Sequence, residues 1–131
     1  VVAVRGATAV SRSVATLNEG IKEILGPLRG WEIAVLAVSS GLGEEIFFRG
    51  FLQSLTGIWV SSFLFALLHI GPDRRFTVWP FLAFGASLVF GLVFDWAGNV
   101  LPCVIAHATV NFINLRYLVG VKEDEAPIVS V

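Results

Sequence analysis

Residues 39–49 read SSGLGEEIFFR, and Gly50, Phe51 and Leu52 follow directly. Two adjacent carboxylates and an arginine thus interrupt a long apolar run that begins near Trp31. Charges are costly in hydrocarbon, so an ionisable group inside such a run is by default a functional-site hypothesis. On a helix, Glu45 and Arg49 are i,i+4 neighbours that can pair. Glu44 is turned about 100° away from that pair. The expectation is a structural Glu45–Arg49 ion pair with the Glu44 carboxylate left beside it for chemistry.

The rest of the composition suits a membrane setting. The chain has 131 residues, enough for one domain. Hydrophobic residues make up 56%, charged residues 15%, and the mean hydropathy is +0.81. Soluble domains carry about 25% charged residues, so this composition argues against a water-soluble globule. A net charge of -1 leaves no basic patch to neutralise phosphates, which argues against nucleic acid. One cysteine, Cys103, rules out an internal disulfide. No Met occurs, position 1 included, as expected of a piece of a longer protein. The first thirty residues show no signal-peptide pattern, and no repeat or low-complexity segment is evident.

Working outward, Val1–Gly30 reads as an interfacial lead-in. It includes a short amphipathic helix over Asn18–Leu25, capped by Asn18 and broken by Gly26-Pro27. From residue 31 to 120 the pattern is an all-α, polytopic transmembrane bundle of about four spanning or re-entrant helices. Helix A runs over Trp31–Leu55, and a tight turn at Gly57 leads into helix B, ending near Ile70. After the polar loop Gly71–Arg75 come helix C (Val78–Trp96), a Gly98-Asn99 turn and helix D (Val100–Gly120). Uncharged runs of about 18 residues or more span a bilayer; helix B is shorter and calls for a tilt or a re-entrant course. Gly85 and Gly91 suit close helix packing in lipid. Residues 121–131, with Lys122–Glu125 charged, read as a solvated tail. If four helices alternate, Lys22, Arg29, Arg74, Arg75, Arg116 and Lys122 share one side, which the positive-inside rule makes cytoplasmic.

Three further polar residues stand in apolar surroundings: His69, His107 and Asn111. At 1.5 Å per residue, Glu44 and His69 both lie about 18–20 Å from the A–B turn. His107 and Asn111 lie about 11 and 17 Å from the C–D turn, on the same side of the bilayer. Four polar side chains from three helices therefore reach one layer of a slab about 30 Å thick. A carboxylate beside a neutral imidazole can hold and deprotonate water. A second imidazole with an amide can donate hydrogen bonds to an oxyanion. Together these describe hydrolysis of a peptide bond.

Glu44-Glu45-x-x-x-Arg49, Ser61-Ser62-x-x-Phe65-x-x-x-His69 and His107-x-x-x-Asn111 within LPCVIAHATVNF resemble, in that order, the motifs of the CPBP family. That family comprises the CAAX prenyl endopeptidases, which cut prenylated proteins after the modified cysteine, and bacterial relatives linked to bacteriocin processing and immunity. The resemblance covers Trp31–Leu115. It implies an integral membrane peptidase in which Glu44 and His69 activate water. His107 and Asn111 would form the oxyanion hole, with Glu45, Arg49 and Phe65 supporting the site. The expected partners are membrane lipid and a peptide or protein substrate, prenylated in the CAAX branch. The expected location is a bacterial inner membrane, with the site nearer the cytoplasmic face. Two histidines and a glutamate also suit zinc; no HExxH is present, so no cofactor is expected and zinc is the alternative.

Blander readings compete at each position. Ser61 and Ser62 suit bridging between helix backbones better than nucleophilic work. Cys103, four residues before His107, fits a small residue at a crowded helix interface as well as a Cys–His pair. Gly85-Ala86-Ser87-Leu88 lacks the closing glycine of a rhomboid-type serine motif. For the whole chain, the alternatives are a non-catalytic membrane scaffold or bacteriocin-immunity-type protein and, after it, a small transporter or proton relay.

Overall fold

The computed structural model describes residues 2–119, with side chains from residue 11 onward; the expected solvated tail lies outside the described residues. Within them the chain is helical throughout, with no strand. Helix α1 spans Val2–Leu25, α2 Gly30–Glu45, α3 Ser54–Leu67, α4 Trp79–Ala97 and α5 Leu101–Val119. A π-helical segment, Ile46–Gln53, joins α2 to α3 without interruption. A single 3-10 turn, Arg74–Phe76, precedes α4.

The lead-in differs from its expected form. It is one continuous 24-residue helix rather than a short one starting at Asn18, and Asn18 lies in mid-helix. No proline occurs before Pro27, and Val14, Leu17, Ile21 and Leu25 extend one apolar stripe at helical spacing. Gly26, at φ 62°, ends the helix, its N–H donating to the Lys22 carbonyl at 2.8 Å. α1 is held at the loop before α4. Gly20 admits the Phe76 ring, because a β-carbon there would lie 2.8 Å from it. The exposed Arg75 side chain bridges Glu23 of α1 to Asp73, at 2.8 Å from the latter. That partner holds the Asp73 carboxyl below the usual carboxylate range.

The expected helix A also needs correction: its second half is π-helical. Glu45, Arg49 and Gln53 are spaced by four and all buried. Around an α-helix that spacing drifts by about 40° per step. The wider i→i+5 turn of this segment advances less per residue than an α-helix, and all three side chains lie in the interior. The chain then reverses at Gly57, whose φ of 83° and ψ of 167° lie in a region open to glycine. α3 folds back along the π segment, and the Ser61 hydroxyl donates to the Phe48 carbonyl at 2.9 Å. α4 ends on Gly98 at φ 68°. The Asn99 side chain accepts from the Leu101 N–H at 3.1 Å to start α5.

α2 packs chiefly on α5, and α3 on α4. α2 and α5 approach closely at Gly41, where a β-carbon would lie 2.9 Å from the Ala108 backbone nitrogen. Gly91 also fills the expected close-packing role, since a β-carbon there would meet Gln53 and Ile58 at 2.7 Å. Gly85 does not, because nothing lies within 4 Å of such an atom.

Beside an apolar core, the interior holds an unusual number of polar groups and the surface many large apolar ones. Glu45, Arg49, Gln53, Ser61, Ser62, Ser87 and His107 are buried, while Phe51, Trp59, Phe63, Phe81 and Trp96 are exposed. Large exposed apolar surfaces need a non-aqueous or protein partner. Two helical segments, Gly30–Leu67 and Arg74–Ala97, are long and apolar enough to cross a membrane, the first broken by the Gly57 reversal.

Gly41→Ala is expected to force α2 and α5 apart and cost about 1–3 kcal/mol, read as a lowered unfolding midpoint in detergent. Gly85→Ala, with free space around it, is expected to be neutral or slightly stabilising.

Candidate active site

Glu45 and Arg49 form the fully buried pair that their spacing predicts. The Arg49 Nε lies 3.1 Å from Glu45 Oε2, and its NH1 lies 3.3 Å from Oε1. Two contacts extend the pair across the bundle. The His107 Nδ1–H donates to Glu45 Oε1 at 2.6 Å. On the other side, Arg49 NH2 donates to the Ser87 carbonyl at 2.8 Å and to its hydroxyl at 2.7 Å. Ser87 in turn donates to the Ser62 hydroxyl at 3.1 Å. The guanidinium lies between two rings, 5.1 Å from the centre of Phe65 and 5.6 Å from that of Phe90.

Those two rings also carry the imidazoles. His69 stacks on Phe65 at 4.5 Å, and His107 stacks on Phe90 at 5.0 Å. Trp79 meets His69 edge-on at 5.2 Å. The His69 Nδ1 lies 2.8 Å from the Phe65 carbonyl, which only accepts. Nδ1 therefore carries the proton, and Nε2 of a neutral ring is left as an acceptor. The same logic, with a carboxylate as acceptor, places the Nδ1 proton of His107.

Glu44 makes none of these contacts. Its side chain is 33% exposed, and its Oε2 is buried without a hydrogen-bond partner. The nearest charged or chargeable group is the His107 Nε2, at 3.9 Å. Asn111 donates through Nδ2 to the Ser40 hydroxyl at 2.9 Å, which fixes the amide plane and leaves its second N–H unassigned. Glu44, His69, His107 and Asn111 all line one cavity of about 660 Å³, as do Ser40 and Phe65. The structure thus brings the four expected site residues to one space. Glu45 and Arg49 lie behind it, and Phe65 serves as a floor shared by Arg49 and His69. Among the described residues, no group of three or more His, Cys, Asp and Glu is arranged to hold a metal ion.

Cys103 is fully buried, with its thiol directed to the Phe90 carbonyl at 3.2 Å, the packing role and not the nucleophilic one. Ser61 and Ser62 bridge as expected. Ser40, Ser87, Phe90 and Trp79 were not anticipated as site residues. Ser40 and Ser87 look like any small residue in a membrane-type helix, and only the fold shows what they touch.

The sequence profile of the type II CAAX prenyl endopeptidase Rce1-like proteins matches residues 27–113. The chain belongs to that family. Rce1-like proteins are membrane proteins and typically proteolytic. The match begins after the Gly26 break, so it takes in α2 to α4, the first two thirds of α5 and every residue of the cavity cluster named above, with α1 outside it. Among curated proteins, the uncharacterised YpbD of Bacillus subtilis (strain 168) is 31% identical over 79 residues, 60% of this chain and 41% of YpbD. The chain thus corresponds to about two fifths of that relative's length. No solved structure matches it.

Arg49→Met leaves the Glu45 carboxylate buried without its cation and is expected to cost about 3–5 kcal/mol. Adding Glu45→Gln removes the orphaned charge and is expected to recover part of that loss. Chemical unfolding of both variants in one detergent checks the order.

Proposed function

We propose that this Rce1-like protein is an intramembrane endopeptidase of the glutamate type. The observation that carries the reading is the contrast between two neighbouring carboxylates. Glu45 is fully buried, ion-paired to Arg49 and hydrogen-bonded to His107, while Glu44 lines the cavity with a third of its side chain exposed.

In the proposed mechanism, a water held between Glu44 and the free His69 Nε2 gives a proton to Glu44 as its oxygen attacks the scissile carbonyl carbon. The carbonyl π electrons move onto oxygen, and the oxyanion takes hydrogen bonds from His107 Nε2–H and the free Asn111 N–H. Collapse re-forms the carbonyl and breaks the C–N bond. Glu44 passes its proton to the departing nitrogen, which yields a carboxylic acid and an amine. For His107 to donate from Nε2 while Nδ1 donates to Glu45, the ring must be an imidazolium. The cluster then balances, with Glu44 and Glu45 against Arg49 and His107. The reaction uses no metal in this scheme.

The proposed setting follows the same geometry. The α2–π unit, α4 and α5 cross the bilayer, and the short α3, reversing at Gly57, is re-entrant. The basic positions Arg29, Arg74, Arg75 and Arg116 mark the cytoplasmic side of a bacterial inner membrane. The substrate is a membrane-associated peptide or protein; prenylation of it is the family's implication.

Glu44→Gln is expected to lower cleavage of a prenylated CAAX peptide, or of other membrane peptides offered, by about 10²–10⁴-fold. Expression and membrane insertion stay unchanged, and products are read by mass spectrometry. Retained cleavage would remove Glu44 as the base. A scaffold or immunity protein predicts the opposite pattern, with Glu44→Gln silent and Arg49 variants unfolded. Asn111→Ala is expected to reduce kcat by about 10²–10³-fold with little change in KM, and a chelator is expected to leave the rate unaltered.

A further inference from the structure

The buried polar groups behind the cavity form one unbroken line through five helical segments. His107 of α5 donates to Glu45 at the end of α2, and Glu45 pairs with Arg49 of the π segment. Arg49 donates to Ser87 of α4, and Ser87 donates to Ser62 of α3. Relative exposure along the line is 5% for His107, 0% for Glu45, Arg49 and Ser87, and 1% for Ser62. Water therefore does not compete for these bonds, and each must be satisfied within the protein.

Ser87 is the point where the line can be cut with least damage. Its backbone carbonyl and its hydroxyl both accept from the same guanidinium nitrogen. Together they set the rotation of the Arg49 plane between the Phe65 and Phe90 rings. That plane donates through NH1 to Glu45 Oε1 and sets Nε 3.1 Å from Oε2 in the ion pair. Glu45 Oε1 in turn takes the His107 Nδ1 proton at 2.6 Å. The Ser87 hydroxyl makes no hydrogen bond to His107 and Ser87 does not line the cavity, so the hydrogen-bonded route from it to His107 runs through Arg49 and Glu45.

We propose that Ser87 is a positioning residue for His107, holding the Arg49 guanidinium so that Glu45 keeps the imidazole in its working orientation. This rests on the reading of His107 as an oxyanion donor. Losing the Ser87 hydroxyl leaves Arg49 NH2 with the carbonyl alone and lets the guanidinium turn. The Glu45–His107 bond then lengthens.

The test uses the chain in lipid nanodiscs with ¹⁵N-labelled histidine. The His107 Nδ1–H resonance, identified by its absence in His107→Gln, reports the bond to Glu45 directly and needs no substrate. In Ser87→Ala it is expected to move upfield and to exchange with water at least about tenfold faster. On a prenylated CAAX peptide, kcat is expected to fall about tenfold with KM unchanged. A resonance unaltered in position and exchange overturns the proposal, and so does a kcat at the wild-type value. Should Ser87→Ala not fold, Ser62→Ala carries the test by removing only the acceptor of the Ser87 proton. A smaller upfield shift is expected there, and no shift overturns the proposal. If wild-type protein cleaves no peptide, the endopeptidase reading fails, while the resonance still decides whether Ser87 holds His107.

Discussion

The Arg49 guanidinium has no solvent exposure, and the arrangement of the other helices can be derived from its needs. An isolated cation of that size costs several kcal/mol to bury even after relaxation. It is tolerated only where its donors find acceptors and its faces find π-surfaces. Glu45 supplies the countercharge, Ser87 two acceptors, and Phe65 and Phe90 the faces. These partners come from α2, α3 and α4, so satisfying one side chain sets three elements in register. The two histidines stack on the same rings. A shift of the guanidinium would be felt at both imidazoles.

The register extends along the helices. Glu45, Arg49 and Gln53 recur every four residues, and so do Ser87, Gly91 and Asp95 on α4. Arg49 reaches Ser87, and Gln53 donates to the Gly91 carbonyl at 3.0 Å and to Asp95 at 2.9 Å. Such a ladder fixes how far α4 slides along the π segment, a quantity that apolar packing in lipid specifies weakly because the lipid tails are as apolar as the side chains. Gly91 is small because the Gln53 amide passes over it.

Much of this was legible beforehand, for identifiable reasons. Glycine and proline punctuation marked Gly26-Pro27, Gly57 and Gly98, since only glycine takes their positive φ without strain. Helical spacing put Glu45 beside Arg49, and rise per residue put Glu44, His69, His107 and Asn111 in one layer. What stayed hidden depends on azimuth and on partners far apart in sequence. The π-helix is invisible to a reading that assumes 100° per residue. Ser87 lies 38 residues from Arg49, in a run where every residue is small or apolar. The continuity of α1 was lost because Asn18 resembles a cap, whereas the apolar stripe passes through it.

The site's logic turns on two adjacent carboxylates being given unlike surroundings by a single helical step. Glu45 points into the bundle, where it pairs with Arg49 and accepts from His107. Glu44, about 100° around the same turn, reaches the cavity wall with one oxygen unpaired. The residue four before Arg49 forms the ion pair, i,i+4 side chains being neighbours on a helix surface. A carboxylate one position earlier is therefore excluded from the pair by geometry and is left to the cavity. A membrane interior makes the separation sharper, since no bulk water is present to satisfy whichever carboxylate the pair leaves out. The ion pair thus does more than hold helices together: by committing Glu45 to the interior, it leaves Glu44 as the carboxylate that faces the cavity.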